Sequence, residues 1–334
     1  MKLFQSRVER SRLKILDRSD RKKLEETADQ AHLRIRGLKD FQLYPLDLET
    51  LVDVISQAPP YPQYQRLSLS TKTPIATLGS CFVRFFKEQL VSRGFNHVQT
   101  EFDAFSRHSS CGWERVYTSA NIYQILKDIE SQKVSVNRFF KDGDRVRDLF
   151  RHKVSFSNLE EAFACTQNHI RLGMEAIKQA EVLFLTLGQN ETWYDEFGDY
   201  WFGQLPPVEL TAKKQQVKVV QLTAEMNKKF LNSSYVILKT INPKIKVILN
   251  IAPIPAIGTF FNENVITRSF LNKAILRVSI NEFMEKMPPE VLYFPAFELS
   301  HLVPYFPFQS DNRHPNPRFM TNLMELFFRL YIDA

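Results

Sequence analysis

The sequence predicts an α/β fold, a mostly parallel sheet with helices on both faces, preceded by a charged helical extension. Three observations predict it. Short apolar runs such as Glu181–Leu187 (EVLFLTL) and Lys246–Ile251 (KVILNI) suit strands buried on both faces. Amphipathic stretches with helical spacing separate them, and strands alternating with helices build βαβ units. Finally, 334 residues, 44% of them hydrophobic, suffice for one sizeable core, and no Pro/Gly/Ser linker divides the chain mid-way.

Taken in order, residues 1–73 read as a charged helical extension that turns irregular around Ala58-Pro59-Pro60-Tyr61-Pro62, where prolines remove backbone donors and fix φ. The domain proper spans 74–334. Pro74–Leu78 is a strand ending at Gly79, and Cys81–Arg93 is a helix stopped by Gly94. Phe95–Gln99 is a second strand candidate. Tyr117–Ile129 and Leu159–Gln179 read as helices, Glu181–Leu187 as the central strand, and Leu222–Ile241 as a helix stopped by Asn242-Pro243. Lys246–Ile251 is another strand, Val265–Lys286 a helix, Val291–Phe294 a strand and Phe319–Tyr331 a closing amphipathic helix. Phe is abundant (28) and Gly scarce (10), as a dense aromatic core requires.

Composition narrows the function. Cys81, Cys111 and Cys165 are an odd number without CxxC or Cys/His spacing, which argues against a disulfide framework or a structural zinc and for reduced thiols in the cytoplasm. Neither a signal-peptide core nor a membrane span is expected. The net charge is +7, and residues 1–40, with twelve Lys/Arg and seven Asp/Glu, carry +5 of it. A solvated charged helix explains this arm. An anionic membrane face or a partner enzyme is the alternative occupant of residues 1–40, whereas nucleic acid is not expected because no binding motif accompanies the charge.

In a parallel sheet the ligand site lies beyond the carboxyl ends of the strands. Ser80 stands there, in Thr-Leu-Gly-Ser-Cys-Phe. A serine hydroxyl becomes a nucleophile when a base takes its proton and nearby donors hold the oxyanion. Taken alone it is equally a helix N-cap. Asp311-Asn312-Arg313-His314-Pro315 places an Asp three residues before a His ahead of the last helix, where it could orient an imidazole base, or form an ordinary Asx-turn. Asn190, in Leu-Gly-Gln-Asn-Glu-Thr-Trp after the central strand, could aim its amide at an oxyanion or satisfy its own turn. Gly112 could offer an unhindered N–H from a neighbouring loop.

Lesser candidates are Cys81 as a thiol beside the serine, His301 as a reserve base, and Glu191 and Glu298 as substrate ligands. Lys273 and Arg277 lie four apart on one helix and could share an anion, although a solvated face is the plainer reading. Trp193, with Tyr194, Tyr200, Trp201 and Phe202, could stack on a sugar or pack in the core. Metal ligation is not expected from two separated carboxylates.

The order of these signals is that of the SGNH-hydrolase blocks. More closely, the chain resembles the GSCFA family, an SGNH-like group, through Gly79-Ser80-Cys81-Phe82-Val83, where Val83 replaces the Ala of the family's motif. Further matches are Val116-Tyr117-Thr118, Thr186-Leu187-Gly188 with Glu191 and Trp193, Asn242-Pro243 and Ile251-Ala252-Pro253-Ile254-Pro255. Beyond these come Leu276-Arg277, Tyr293-Phe294-Pro295 with Glu298, and Asp311 through His314. The likeness begins near Pro74. It implies a three-layer α/β/α fold, Ser80 as nucleophile, Asp311 and His314 as its partners, and the amides of Ser80, Gly112 and Asn190 as the oxyanion hole. Asn190 matches the general SGNH block better than the GSCFA pattern. The implied chemistry is an esterase or O-acyltransferase on a small-molecule or glycan ester, without a cofactor, or with an acyl donor such as acetyl-CoA if it transfers. The competing reading is a binding module that keeps the fold and not the reaction.

Overall fold

The computed structural model describes residues 67–332 apart from 103–107, 152, 204–216, 287–290 and 304. The expected charged helix and proline connector therefore lie outside the described residues, except for 67–73. There Leu67 and Leu69 are buried, and the Leu69 amide donates to the Tyr331 carbonyl.

Strand β1 (Ile75–Gly79) is followed by α1 (Phe82–Ser92), α2 (Ser119–Ser131), β2 (Phe139–Asp142), β3 (Arg145–Asp148), β4 (Ser155–Phe156) and α3 (Leu159–Gln179). Then come β5 (Val182–Leu187), β6 (Glu191–Asp195), β7 (Tyr200–Phe202), β8 (Val217–Gln221), α4 (Ala224–Ile241), β9 (Lys246–Ile251), α5 (Val265–Met284), β10 (Val291–Phe294), α6 (Ala296–Leu299) and α7 (Pro317–Tyr331). Local chemistry sets the helix starts. The side chains of Thr118, Asn158, Thr223, Asn264 and Asn316 each accept an amide hydrogen of the first turn, and Pro317 takes the first position of α7, where no donor is needed.

The central sheet is parallel, in the order β1-β5-β9-β10, with every residue of β1, β5 and β10 buried. Phe95–Gln99 is not a full strand. It makes one parallel bridge, His97 to Ile75, with Ile75 N–H on Asn96 O and Val98 N–H on Ile75 O. That bridge still places the segment on the free edge of β1. The chain thus steps one way from β1 through α1, then reverses and steps the other way through β5, β9 and β10.

Right-handed crossovers then require α1 on one face and α3, α4 and α5 on the other. Accordingly α1 packs on α7, while α2, α3, α4 and α5 pack among themselves, with α5 against β9. On the first face Phe86 stacks on Phe184 with ring centroids 3.6 Å apart, and Phe327 stands edge-on to Phe86, Phe184 and Phe294. Each such ring, fully buried, contributes about 2–3 kcal/mol of transfer free energy.

Two small antiparallel sheets were not expected from the sequence. The β2-β3-β4 sheet packs on α3, and the β7-β6-β8 sheet leans on α2. No helix among the described residues is long and apolar enough to cross a membrane.

Candidate active site

The reversal of direction falls between β1 and β5. An open sheet leaves a crevice at such a switch point, beyond the carboxyl ends of the two strands. Ser80 follows β1 there and Gly188 follows β5. Gly79 has φ +145°, and a Cβ on it would lie 2.2 Å from the Thr186 carbonyl oxygen, so only glycine lets β1 approach β5 this closely. The Ser80 amide then donates to Thr186 O at 3.1 Å, which fixes the elbow. A Cβ on Gly188 would sit 3.0 Å from Ser80 Cβ, so the two strand ends face one another.

The crevice is an open cavity of about 370 Å³. Ser80, Cys81, Gly188 and Gln189 form its floor, and Tyr117 and Asn121 one side. Trp193 and Phe202 come from β6 and β7, residues 252–260 from the loop after β9, and Arg313 from the loop before α7. Ser80 is buried but belongs to this wall. Its hydroxyl receives a long capping contact from the Phe82 amide at 3.4 Å.

Asp311 and His314 form the expected pair. One Asp311 oxygen accepts the amides of Arg313 and His314 at 3.0 Å each, and the other meets His314 Nδ1. Asn312 adopts a positive φ of 59° to close the turn. The His314 hydrogen bond is the main reason that the Asp311 carboxyl is held well below the usual carboxylate range. The ring lies 6.1 Å from that of Phe85 on α1, the helix that begins beside Ser80. Among the described residues no hydrogen bond joins Ser80 Oγ to His314, and neither Asp311 nor His314 lines the cavity.

The amides expected to form an oxyanion hole are all engaged elsewhere. Gly112 gives its N–H to Glu101 Oε2 at 2.6 Å. Asn190 is fully buried, its amide on Asn272 O and its carbonyl on Asn227 Nδ2, outside the cavity wall. The Ser80 amide is taken by Thr186. What the cavity offers instead is the Gln189 side-chain amide, which has no hydrogen-bond partner among the described residues, and the Cys81 amide, which has no backbone acceptor there. Gln189 sits one place from the expected Asn190, and the clue was available: it directly follows the glycine that faces the serine.

The substrate-binding expectations divide. Trp193 lines the cavity with its ring 5.3 Å from Phe260, and its buried indole N–H has no partner among the described residues. Glu191 also lines it, but its oxygens are occupied by Thr259 Oγ1, the Phe260 amide, Arg268 Nε and Asn272 Nδ2 at 2.9–3.2 Å. It ties the 252–260 loop to α5 and is not open to a ligand. Glu298 and Arg277 are paired at 3.0 Å, with Tyr293 O–H on the same carboxylate, away from the cavity wall. Lys273 parts from Arg277: it is buried, with Nζ 2.6 Å from the Gly188 carbonyl oxygen, and burial pushes it down to about 7. His301 folds back on Phe297 O. Of the aromatic cluster, Trp193 and Phe202 face the cavity, while Tyr194 stacks on Trp201 and Tyr200 donates to Asp128.

Burial pushes the Cys81 thiol up, against the pull of Arg115, Lys273 and Arg313. A thiol kept protonated is a poor nucleophile, so nothing activates Cys81 here. Away from the cavity, Glu101, Cys111 and His169 form the one group of mixed metal-ligating donors among the described residues. Glu101 Oε2 lies 2.7 Å from His169 Nδ1 and 3.1 Å from Cys111 Sγ. Burial pushes Glu101 up, but His169, Cys111 and the Gly112 amide together outweigh it and bring the carboxyl down to about 2. Burial and the Glu101 charge keep Cys111 a thiol, so the three donors satisfy one another as a buried hydrogen-bond network.

The fold and the site thus define a parallel α/β protein with a serine elbow at its switch point. The GSCFA family pattern matches residues 74–327, and the chain belongs to the GSCFA family. Two solved structures are similar. A carbohydrate esterase family 3 protein from Talaromyces cellulolyticus has 11% identity and TM-score 0.37, over 76% of this chain and 94% of that one. A family 3 carbohydrate esterase from Clostridium thermocellum has 11% identity and TM-score 0.34, over 78% and 94%. No curated protein matches.

Proposed function

We propose that this protein is an SGNH-type serine acyl-ester enzyme, an esterase or O-acyltransferase, that forms an acyl-Ser80 intermediate on a glycan or glycoconjugate ester. The observation that carries the reading is Ser80 in the cavity wall at the switch point, with the Asp311–His314 pair on a loop beside the helix that Ser80 begins. In the reaction, loop closure brings His314 Nε2 to Ser80 Oγ. The imidazole takes the hydroxyl proton as Oγ bonds to the acyl carbon, and the carbonyl π electrons move onto oxygen. The Cys81 amide and Gln189 hold that oxyanion. The C–O bond to the alcohol then breaks, and His314 returns the proton to the leaving oxygen. Water attacking acyl-Ser80 completes hydrolysis, and a sugar hydroxyl completes transfer, with a thioester such as acetyl-CoA as the donor in that case.

The family resemblance supports a place in bacterial surface-polysaccharide metabolism, and the three cysteines without disulfide spacing support a cytoplasmic setting. Trp193, an aromatic ring in the cavity wall, supports a sugar ring as ligand. Residues 1–40 are proposed to dock to an anionic membrane face or partner enzyme, and unchanged fractionation after their deletion would exclude this.

The second reading, a glycan-binding module without catalysis, draws on the absence of a Ser80–His314 hydrogen bond. Turnover of p-nitrophenyl acetate by the wild type and by Ser80→Ala, Cys81→Ala and His314→Ala separates the two. Loss in the Ser80 and His314 variants is expected. Activity retained in Ser80→Ala would sink the acyl-serine mechanism, and sugar binding without turnover in any protein would favour the module.

A further inference from the structure

The charges around the cavity do not cancel. Glu191 is the one acidic side chain among its described lining residues, and it is already neutralised by Arg268 at 3.1 Å. Arg313 lines the same cavity, yet its guanidinium donates only to a neutral acceptor, the Pro255 carbonyl, through Nε at 3.3 Å and Nη2 at 3.2 Å. Asp311, two residues earlier, accepts the Arg313 amide but gives its second oxygen to His314.

Behind the floor, Lys273 is buried with a single acceptor, the carbonyl oxygen of Gly188, the residue that faces Ser80. Among the described residues neither Arg313 nor Lys273 has a carboxylate partner. Lys273 is fully withdrawn from water and Arg313 only half-buried, so the cost of an uncompensated cation falls mainly on Lys273, and an arriving anion relieves it. In a low-dielectric cleft the Arg313 charge acts at long range, and an anion beside it favours the charged form of Lys273, which burial otherwise brings down to about 7. Both reach Cys81, together with Arg115.

We propose that this site takes an acyl ester of an anionic sugar, whose carboxylate or phosphate pairs with Arg313 beside Ser80 within the field of the buried Lys273. The inference rests on the acyl-ester reading for the word ester, but the anion site stands apart from it. Arg313 precedes His314 in the chain, so an anion that grips Arg313 also loads the loop carrying the base. Substrate charge would then help bring His314 to the serine.

The test is calorimetric titration of the full chain with glucose, glucuronate and glucose 6-phosphate, followed by turnover of their O-acetyl esters. We expect one or both anionic sugars to bind at least roughly tenfold tighter than glucose, in keeping with a charge-assisted contact. Which of the two binds tells carboxylate from phosphate. The preference should vanish in Arg313→Gln and persist in Arg147→Gln, a change of exposed charge on β3. Equal binding of neutral and anionic sugars, or a preference untouched by Arg313→Gln, overturns the proposal even if p-nitrophenyl acetate is turned over. Anion binding by a protein inert towards every ester would instead keep the anion site and reject the acyl-ester reading.

Discussion

The two halves of the site are built in opposite ways. The serine half is made by long-range structure: Gly79, Ser80 and Gly188 are set by the pairing of β1 with β5 and are packed too tightly for a Cβ on either glycine to enter freely. The acid–base half is made locally, by five consecutive residues whose bonds run mainly within their own turn, with both side chains partly exposed. The first half is rigid because many elements would have to move together, whereas the second can shift as one loop. Under the proposed mechanism, Ser80 would be held in place by the core while His314 would be carried to it by movement of one loop.

That contrast predicts how each half breaks. Ser80→Ala should abolish turnover, by about 10⁴-fold, with little change in melting temperature, because only a long capping contact is lost. His314→Ala should cost about 10³-fold and Asp311→Asn about 10²-fold, again without unfolding, as readable from kcat alongside thermal melts. Gly79→Ala acts on the fold itself. The overlap with Thr186 and the φ of +145° should cost about 4 kcal/mol, seen as a lower denaturation midpoint or insoluble protein. A Gly79→Ala protein with wild-type stability would show that the elbow is softer than its packing implies.

Smaller effects sharpen the picture of the walls. Glu191→Ala frees the loop at 259–260 and deprives buried Arg268 of one carboxylate, so stability should fall by about 2 kcal/mol while KM rises more than kcat falls. Lys273→Met tests the buried ammonium through pH. Its folded pKa of about 7 lies below the ordinary 10.5, so the unfolded chain binds the extra proton between these values. Below about pH 7 the native state carries the charge and its full penalty, which fades as pH rises towards 10.5. The variant should therefore gain melting temperature at pH 6 and progressively less at pH 8 and 9.

The sequence reveals the rigid half more readily than its details. Val182–Leu187, Lys246–Ile251 and Val291–Phe294 are legible because strands buried on both faces must be apolar throughout. Ser80 is legible because it directly follows another such strand, Ile75–Gly79. The small sheets are not, since Arg145–Asp148 and Val217–Gln221 are partly exposed and alternate weakly. The Asp142-Gly143 turn, with Gly143 at φ +61°, was the overlooked hairpin signal. Lys273 reads as solvated because α5 buries polar residues such as Arg268, Ser269 and Asn272 while exposing Ile266, Phe270 and Val278, so periodicity cannot mark its inner face. Asn190 and Gly112 sit where family order puts oxyanion donors, but a bond from Asn190 to a carbonyl 82 residues away leaves no trace in local sequence.

The partner of β1 also sets a schedule. Ile75–Gly79 pairs with Val182–Thr186, about a hundred residues later, so on the ribosome the first strand of the sheet waits several seconds for its neighbour. In that interval α1 can form, and Phe95–His97 can fold back against the free edge. The close approach at Gly79 cannot yet exist. Ser80 therefore leaves the ribosome well before β5 and must await it to acquire its geometry, so its placement reports on the slow, non-local part of folding.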